Sequence, residues 1–258
     1  EAQLEVLDAG GKAVASGRGQ FSGGRLSHTL TLNRPALWSP ESPSLYTLVT
    51  RVLGGGKVID ENRTRFGVRS IAFSRENGFQ LNGKTRKFKG VCLHHDLGPL
   101  GAAVNEAAIS RQIRIMKDMG CDAIRTSHNM PSTMMMDLCD SLGMLVMAES
   151  FDSWMTGKTP NAYNRFFKEW AERDLANLYL NHRNHPCIVM WSIGNEIPDQ
   201  VTQDGVETCR RLVNLMHRLD PTRPVTAGVD LVERATRSGF LNELDIPGFN
   251  YHTHCYET

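Results

Sequence analysis

The chain has 258 residues, longer than one ordinary domain, and 40% of them are hydrophobic, enough for a sizeable core. Its 29 lysines and arginines against 28 aspartates and glutamates leave a formal net charge of +1, with no basic run, so neither nucleic acid nor a membrane is an expected partner. No apolar stretch approaches the roughly 20 residues that span a bilayer, and Glu1-Ala2-Gln3-Leu4-Glu5 is no signal peptide, although it need not be the native start. The compartment, cytoplasmic or periplasmic/secreted, stays open.

Residues 1–70 hold short alternating runs broken by glycines: Leu4-Glu5-Val6-Leu7, Asp8-Ala9-Gly10-Gly11, Leu45-Tyr46-Thr47-Leu48-Val49 and Gly54-Gly55-Gly56. Such spacing predicts a β-sandwich. Too few strands follow the first one to complete two sheets, so the sandwich is expected to lack its opening strands. Polar runs such as Arg63-Thr64-Arg65 read as solvated faces.

From about residue 79 strands alternate with helices. Phe88–Leu93 is a candidate first strand, and Ile109, Ile113 and Met116 mark one face of a helix. Ala123–Thr126 is the second strand. Pro131 opens a helix that stops at Gly143. Met144–Ala148 is the third strand, followed by a long helix over about 164–182 with Phe166, Phe167, Trp170, Leu175 and Leu178 inward. Ile188–Ile193 is a wholly apolar fourth strand, the mark of a sheet covered on both faces. Val206, Cys209, Val213 and Met216 carry the next helix. Pro224–Ala227 and Ile246–Tyr251 are the fifth and sixth strands.

The six cysteines include no C-x-x-C pair, which favours buried reduced thiols over a disulfide scaffold. Six β/α steps imply parallel strands with helical crossovers, either a doubly wound open sheet or a (β/α)8 barrel cut short. No G-x-G-x-x-G follows a strand and no P-loop is present, which weakens a nucleotide-binding reading. Polar residues fall repeatedly at strand C-terminal ends, where barrel enzymes keep their chemistry: His94-His95-Asp96, Arg125, Ser127-His128-Asn129, Glu149 and Asp152, Asn195-Glu196 and Tyr251-His252.

Glu196, after an apolar strand and a glycine, is placed where a raised pKa would suit general-acid work. A glutamate favoured by a helix N-terminus reads the same way. Asn195 is either a partner for a sugar hydroxyl or an ordinary loop asparagine. His94, His95, Arg125 and His128 suit sugar hydroxyls somewhat better than a metal ion. Trp170 and Trp191 read as core. Trp154 is divided between core and a sugar-stacking wall.

At these residues the sequence resembles glycoside hydrolase family 2. Pro35-Ala36-Leu37-Trp38-Ser39-Pro40 with Leu45-Tyr46 looks like the family's immunoglobulin-like domain, and Arg65-Phe66-Gly67-Val68-Arg69 like its junction with the barrel. Lys89–His94, Arg125-Thr126-Ser127-His128 and Trp191-Ser192-Ile193-Gly194-Asn195-Glu196 look like three barrel motifs. The resemblance implies an immunoglobulin-like β-sandwich over residues 1–70. A TIM barrel over 71–258 would follow it, with about six of eight strands.

It further implies that Glu196 is the acid/base and that Asn195 binds the 2-hydroxyl beside the scissile bond. His94, Arg125 and His128, with Trp154, would line the sugar subsite. Tyr251 would hydrogen-bond the nucleophile, which belongs on a seventh strand beyond Thr258; Glu257 lies too near the sixth strand to be given that role. The Gly194-Asn195-Glu196 form resembles the β-galactosidase and β-glucuronidase members more than the β-mannosidase ones, and β-galactosidase is the preferred reading, with β-glucuronidase as the alternative. A metal-dependent barrel hydrolase and a non-catalytic carbohydrate-binding relative are the alternatives. Magnesium-dependent members carry a glutamate and a histidine after the third strand, whereas this chain has Glu149-Ser150-Phe151-Asp152-Ser153-Trp154. No metal and no cofactor are therefore expected. The partner is a carbohydrate, a β-galactoside or oligosaccharide, and a homo-oligomer is compatible with the reading.

Overall fold

A computed structural model describes residues 1–257. The chain forms two compact units, one of Glu1–Lys87 with Asp140–Gly143 and Asn184–Pro186, the other of the remainder.

In the first unit β1 (Ala2–Leu7), β2 (Ala13–Gly19), β3 (Tyr46–Gly54) and β4 (Lys57–Phe66) form an antiparallel sheet in the order β2-β1-β3-β4. Successive side chains on a strand face opposite ways, and in β1 Ala2, Leu4 and Val6 are the buried set. Gly55 and Gly56 take positive φ at the β3–β4 turn, as a two-residue hairpin requires. The sequence pattern missed β4, because half of its side chains are charged and most are exposed. Backbone pairing and cross-strand charges hold it instead: Arg51 faces Glu61 in register and donates to it at 2.8 Å. Arg63-Thr64-Arg65, read as a solvated run, lies in this strand. A small antiparallel meander of β5 (Ile71–Ser74), β6 (Gly78–Leu81) and β7 (Lys84–Thr85) follows and buries Phe79 and Leu81.

The second unit is a parallel sheet of β8 (Gly90–His94), β9 (Ala123–Ser127), β10 (Leu145–Glu149), β11 (Ile188–Asn195), β12 (Val225–Val229) and β13 (Gly248–Phe249). The strands lie side by side in strict chain order. A doubly wound sheet reverses its order at a switch point and this one never does, so these are consecutive strands of a TIM barrel. The helices α1 (Glu106–Asp118), α2 (Thr133–Leu142), α3 (Asn164–His182), α4 (Gln203–Leu219) and α5 (Val232–Ser238) are the crossovers. The Asn105 side chain caps α1 through the Ala108 amide at 3.0 Å, and Thr202 caps α4 through Gly205 at 3.1 Å. Ile109, Ile113 and Met116 of α1 and Val206, Cys209, Val213 and Met216 of α4 are buried, as their spacing predicts. All eight residues of β11 are buried. No helix among the described residues is long and apolar enough to cross a membrane.

Helix α3 corrects the expectation. Its buried stripe is Phe167, Ala171, Leu175, Leu178 and His182, at helical spacing, whereas Phe166 is 56% and Trp170 41% exposed. Adjacent residues sit about 100° apart around a helix, so Phe166 and Phe167 do not share a face. Trp170 instead takes the Arg173 guanidinium over its ring at 5.2 Å. Leu175→Ala should cost about 2–5 kcal/mol in urea unfolding, whereas Phe166→Ser should stay within about 0.5 kcal/mol of wild type. Equal losses would restore Phe166 to the core.

Candidate active site

Five strand ends contribute polar side chains to one cluster, and a buried carboxylate lies at its centre. Glu149 ends β10 and is wholly buried. Its Oε2 accepts from Arg125 Nε at 2.8 Å and from the Ser192 hydroxyl at 2.6 Å, while Oε1 meets His128 Nδ1 at 2.5 Å. An ion so far from water is tolerated only when paired and hydrogen-bonded, and residues of β9, β11 and the loop after β9 supply those partners. Burial works against the Arg125 charge, but Glu149 outweighs burial and holds the guanidinium protonated more firmly than usual.

Arg125 reaches onward. Its Nη2 donates to Asn195 Oδ1 at 2.7 Å, and Asn195 Nδ2 donates to Asp152 Oδ1 at 3.0 Å. Lys158 Nζ bonds the same Asp152 oxygen at 2.7 Å and the Asn195 carbonyl at 2.8 Å. Gly228 on β12 passes close by. A Cβ there would stand 2.6 Å from Arg125 Nη2 and 3.1 Å from Asn195 Oδ1, so only glycine leaves room for this pair.

Glu196 follows β11 directly and is half-buried. Its φ of +46° is in the left-handed region that a side chain adopts only when its surroundings impose it, a feature that clusters at functional sites. Its amide donates to the Gly228 carbonyl at 2.7 Å. Asn250, just past β13, shares its Nδ2 between Glu196 Oε1 at 2.8 Å and Asn195 Oδ1 at 3.0 Å. The Tyr251 hydroxyl also bonds the carboxylate. Burial alone would raise the Glu196 pKa. Hydrogen bonds from Tyr251 and Asn250, with the charges of Lys158 and His128, overcome it and hold the carboxyl below the usual glutamate range. That reverses the direction expected from the sequence, because the pattern of strand and glycine does not reveal donors arriving from other strands.

The structure thus brings Arg125, His128, Asn195, Glu196 and Tyr251 together, and His94 joins them with its ring edge-on to His128 at 5.1 Å between centroids. Tyr251 is 79% exposed, and its bond is to Glu196. Trp154 is a correction. It is wholly buried, donates to the Ile193 carbonyl at 2.9 Å and stacks on Phe167, so it offers no face to a sugar. Trp191 is core, as expected. His94, His95 and His128 form no metal-ligating group among the described residues; His95 Nε2 is bonded to the Ala102 carbonyl at 2.9 Å. The side chain of Glu257 lies outside the described residues. Sequence reasoning placed Glu149 at a strand end without giving it a role, and gave none to Ser192, Lys158, Asn250 or Gly228. A charged residue closing the apolar run Leu145–Ala148 was a signal for Glu149; Lys158 sits in a loop without one.

Cys139, Cys187 and Cys209 are buried, in line with the small-hydrophobe reading, and Cys92 is exposed.

The family model described as "Glycosyl hydrolases family 2, TIM barrel domain" matches residues 73–251, and that of "Glycosyl hydrolases family 2" matches residues 1–69. A β-galactosidase of Bacteroides ovatus is 41% identical over 96% of this chain, which spans 33% of that protein. A β-glucuronidase of Bacteroides fragilis is 32% identical over 77% of this chain and matched over 29% of its own length. A crystal structure of a family 2 member from Bacteroides cellulosilyticus superposes with a TM-score of 0.93 at 42% identity, covering 99% of this chain and 34% of that one. The chain therefore spans about a third of the relatives it matches.

Tyr251→Phe removes a donor from the ionised carboxylate, so the Glu196 pKa should rise toward the ordinary glutamate value. A carboxyl carbon-13 titration of Glu196 reads this directly, and an unchanged or lower value would dismiss the hydrogen bond as a cause of the depression.

Proposed function

The chain belongs to glycoside hydrolase family 2, and from that membership we propose retaining hydrolysis of terminal β-linked sugars, β-galactosides first, with Glu196 as the acid/base. The observation that carries this reading is the tether of Glu196 between β11 and the end of β13, beside Asn195 and at the strand-end face where barrel enzymes react. In the first step Glu196 gives its proton to the glycosidic oxygen as a second carboxylate, expected from the family on a seventh strand, attacks the anomeric carbon. In the second step Glu196 takes a proton from the incoming water.

The depressed pKa of Glu196 suits the second step, in which it must be an anion. For the first it must hold a proton. The charge of an ionised nucleophile about 5–5.5 Å away would raise its pKa, and esterification of that nucleophile would lower it again. Asn195 is assigned to the sugar 2-hydroxyl and His94, Arg125 and His128 to the subsite around it. Glu149 fixes Arg125 and His128 from below. Arg125 and Lys158 are each paired with a carboxylate, Glu149 and Asp152, which suits a neutral sugar better than a uronate. The β-glucuronidase among the relatives makes the β-glucuronide the comparison substrate.

Magnesium does not fit the position after the third strand. Both Glu149 oxygens are committed to Arg125, His128 and Ser192, and Asp152 to Asn195 and Lys158, so a hard, strongly hydrated cation would have to displace cations already in place.

Glu196→Gln in the intact enzyme should slow hydrolysis of substrates with poor leaving groups by about 10²–10⁴-fold, with a far smaller loss on activated aryl glycosides. Equal losses on both would remove Glu196 from the acid role. A nitrophenyl β-galactoside should be turned over in preference to the β-glucuronide. Turnover should also survive exhaustive chelation; a large loss restored by added magnesium would place ligands elsewhere.

A further inference from the structure

Immediately beyond Tyr251 the chain carries His252-Thr253-His254-Cys255, and nothing in the glycosidase reading uses these side chains. A 3₁₀ turn over Thr253–Glu257 organises them. The Cys255 amide donates to the His252 carbonyl at 3.0 Å, and the His252 amide to the Asn250 carbonyl at 2.8 Å. Side chains three residues apart in a 3₁₀ turn eclipse one another, which sets His252 and Cys255 on one face. The His254 ring meets the His252 ring edge-on with centroids 5.5 Å apart. As a result one ligand atom from each of His252, His254 and Cys255 lies within 4.8 Å of the other two.

We propose that His252, His254 and Cys255 form a binding site for a borderline-soft divalent metal, zinc first among them. Two imidazoles and a thiolate are the donors zinc prefers over magnesium or calcium, which take oxygen. Zinc bonds nitrogen at about 2.0–2.1 Å and thiolate sulfur at about 2.3 Å in a tetrahedron, so ligand atoms must sit roughly 3.5 Å apart. The observed spread of up to 4.8 Å has to close to that when a metal is held. Three protein ligands leave the fourth position for water. Cys255 must ionise and both imidazoles must be neutral for a metal to bind, so binding releases protons and weakens as pH falls. His252, His254 and Cys255 are not among the residues assigned to glycoside cleavage, although His252 directly follows Tyr251. Loss of the site and loss of turnover are therefore distinguishable.

The test is a titration of the intact protein with Co²⁺ as a spectroscopic stand-in, followed by competition with Zn²⁺. One Co²⁺ should bind per chain with a thiolate-to-metal charge-transfer absorption that one equivalent of Zn²⁺ removes. Cys255→Ser should abolish that absorption, and His254→Ala should weaken Zn²⁺ binding by at least about tenfold. Both variants should keep the wild-type circular dichroism and glycoside turnover, which separates a lost ligand from a lost fold. A charge-transfer band that persists in Cys255→Ser, or Zn²⁺ affinity that is the same in wild type and His254→Ala, would overturn the site.

Discussion

A fully buried carboxylate governs the second unit. Glu149 sits where an uncompensated negative charge would cost several kilocalories per mole, and the surrounding residues are arranged to prevent that. Arg125 from β9 satisfies one oxygen together with the β11 hydroxyl of Ser192, and His128 from the loop after β9 satisfies the other. Two neighbouring strands and a loop are thereby held at set positions against β10. The polar face of the barrel is an electrostatic construction before it is a chemical one.

From that centre a relay of hydrogen bonds runs outward through Arg125, Asn195, Asp152 and Lys158, and through Asn250 to Glu196. Each residue along it is oriented by the next, so rotamers that would wander on a free surface are held in place. Preorganisation of this kind lets hydrogen-bond donors act on developing charge without reorganising first. The relay also explains Gly228, whose missing side chain is the space that the Arg125–Asn195 pair occupies.

Much of this was legible in the sequence where periodicity speaks. The apolar run Ile188–Ile193 could only be a strand covered on both sides, and the stripes of α1 and α4 could only face inward. Periodicity failed where charge or single contacts decide. Strand β4 carries charge on both faces and is defined by its neighbour, and Phe166 and Trp170 are aromatic yet lie off the stripe of α3. Motif and strand-end position were enough to expect Arg125, His128, Asn195 and Glu196 in one cluster. The direction of the Glu196 pKa was not legible, since it depends on Asn250, Tyr251 and Lys158 arriving from remote segments. Trp154 was misread because its polar loop position conceals that Phe167 and Phe240 enclose it.

The two supports of Glu196 differ in kind. On one side is β11, eight residues buried throughout and paired to both neighbours; on the other is β13, two half-buried residues paired through Gly248 and Phe249. Backbone protection follows burial and pairing, so the amides of β11 should exchange slowly. Asn250 and Tyr251 come from the segment that follows β13. The carboxylate is therefore placed by the backbone of one strand while its proton affinity is held down by side chains carried on another, so its position and its acidity can be altered separately.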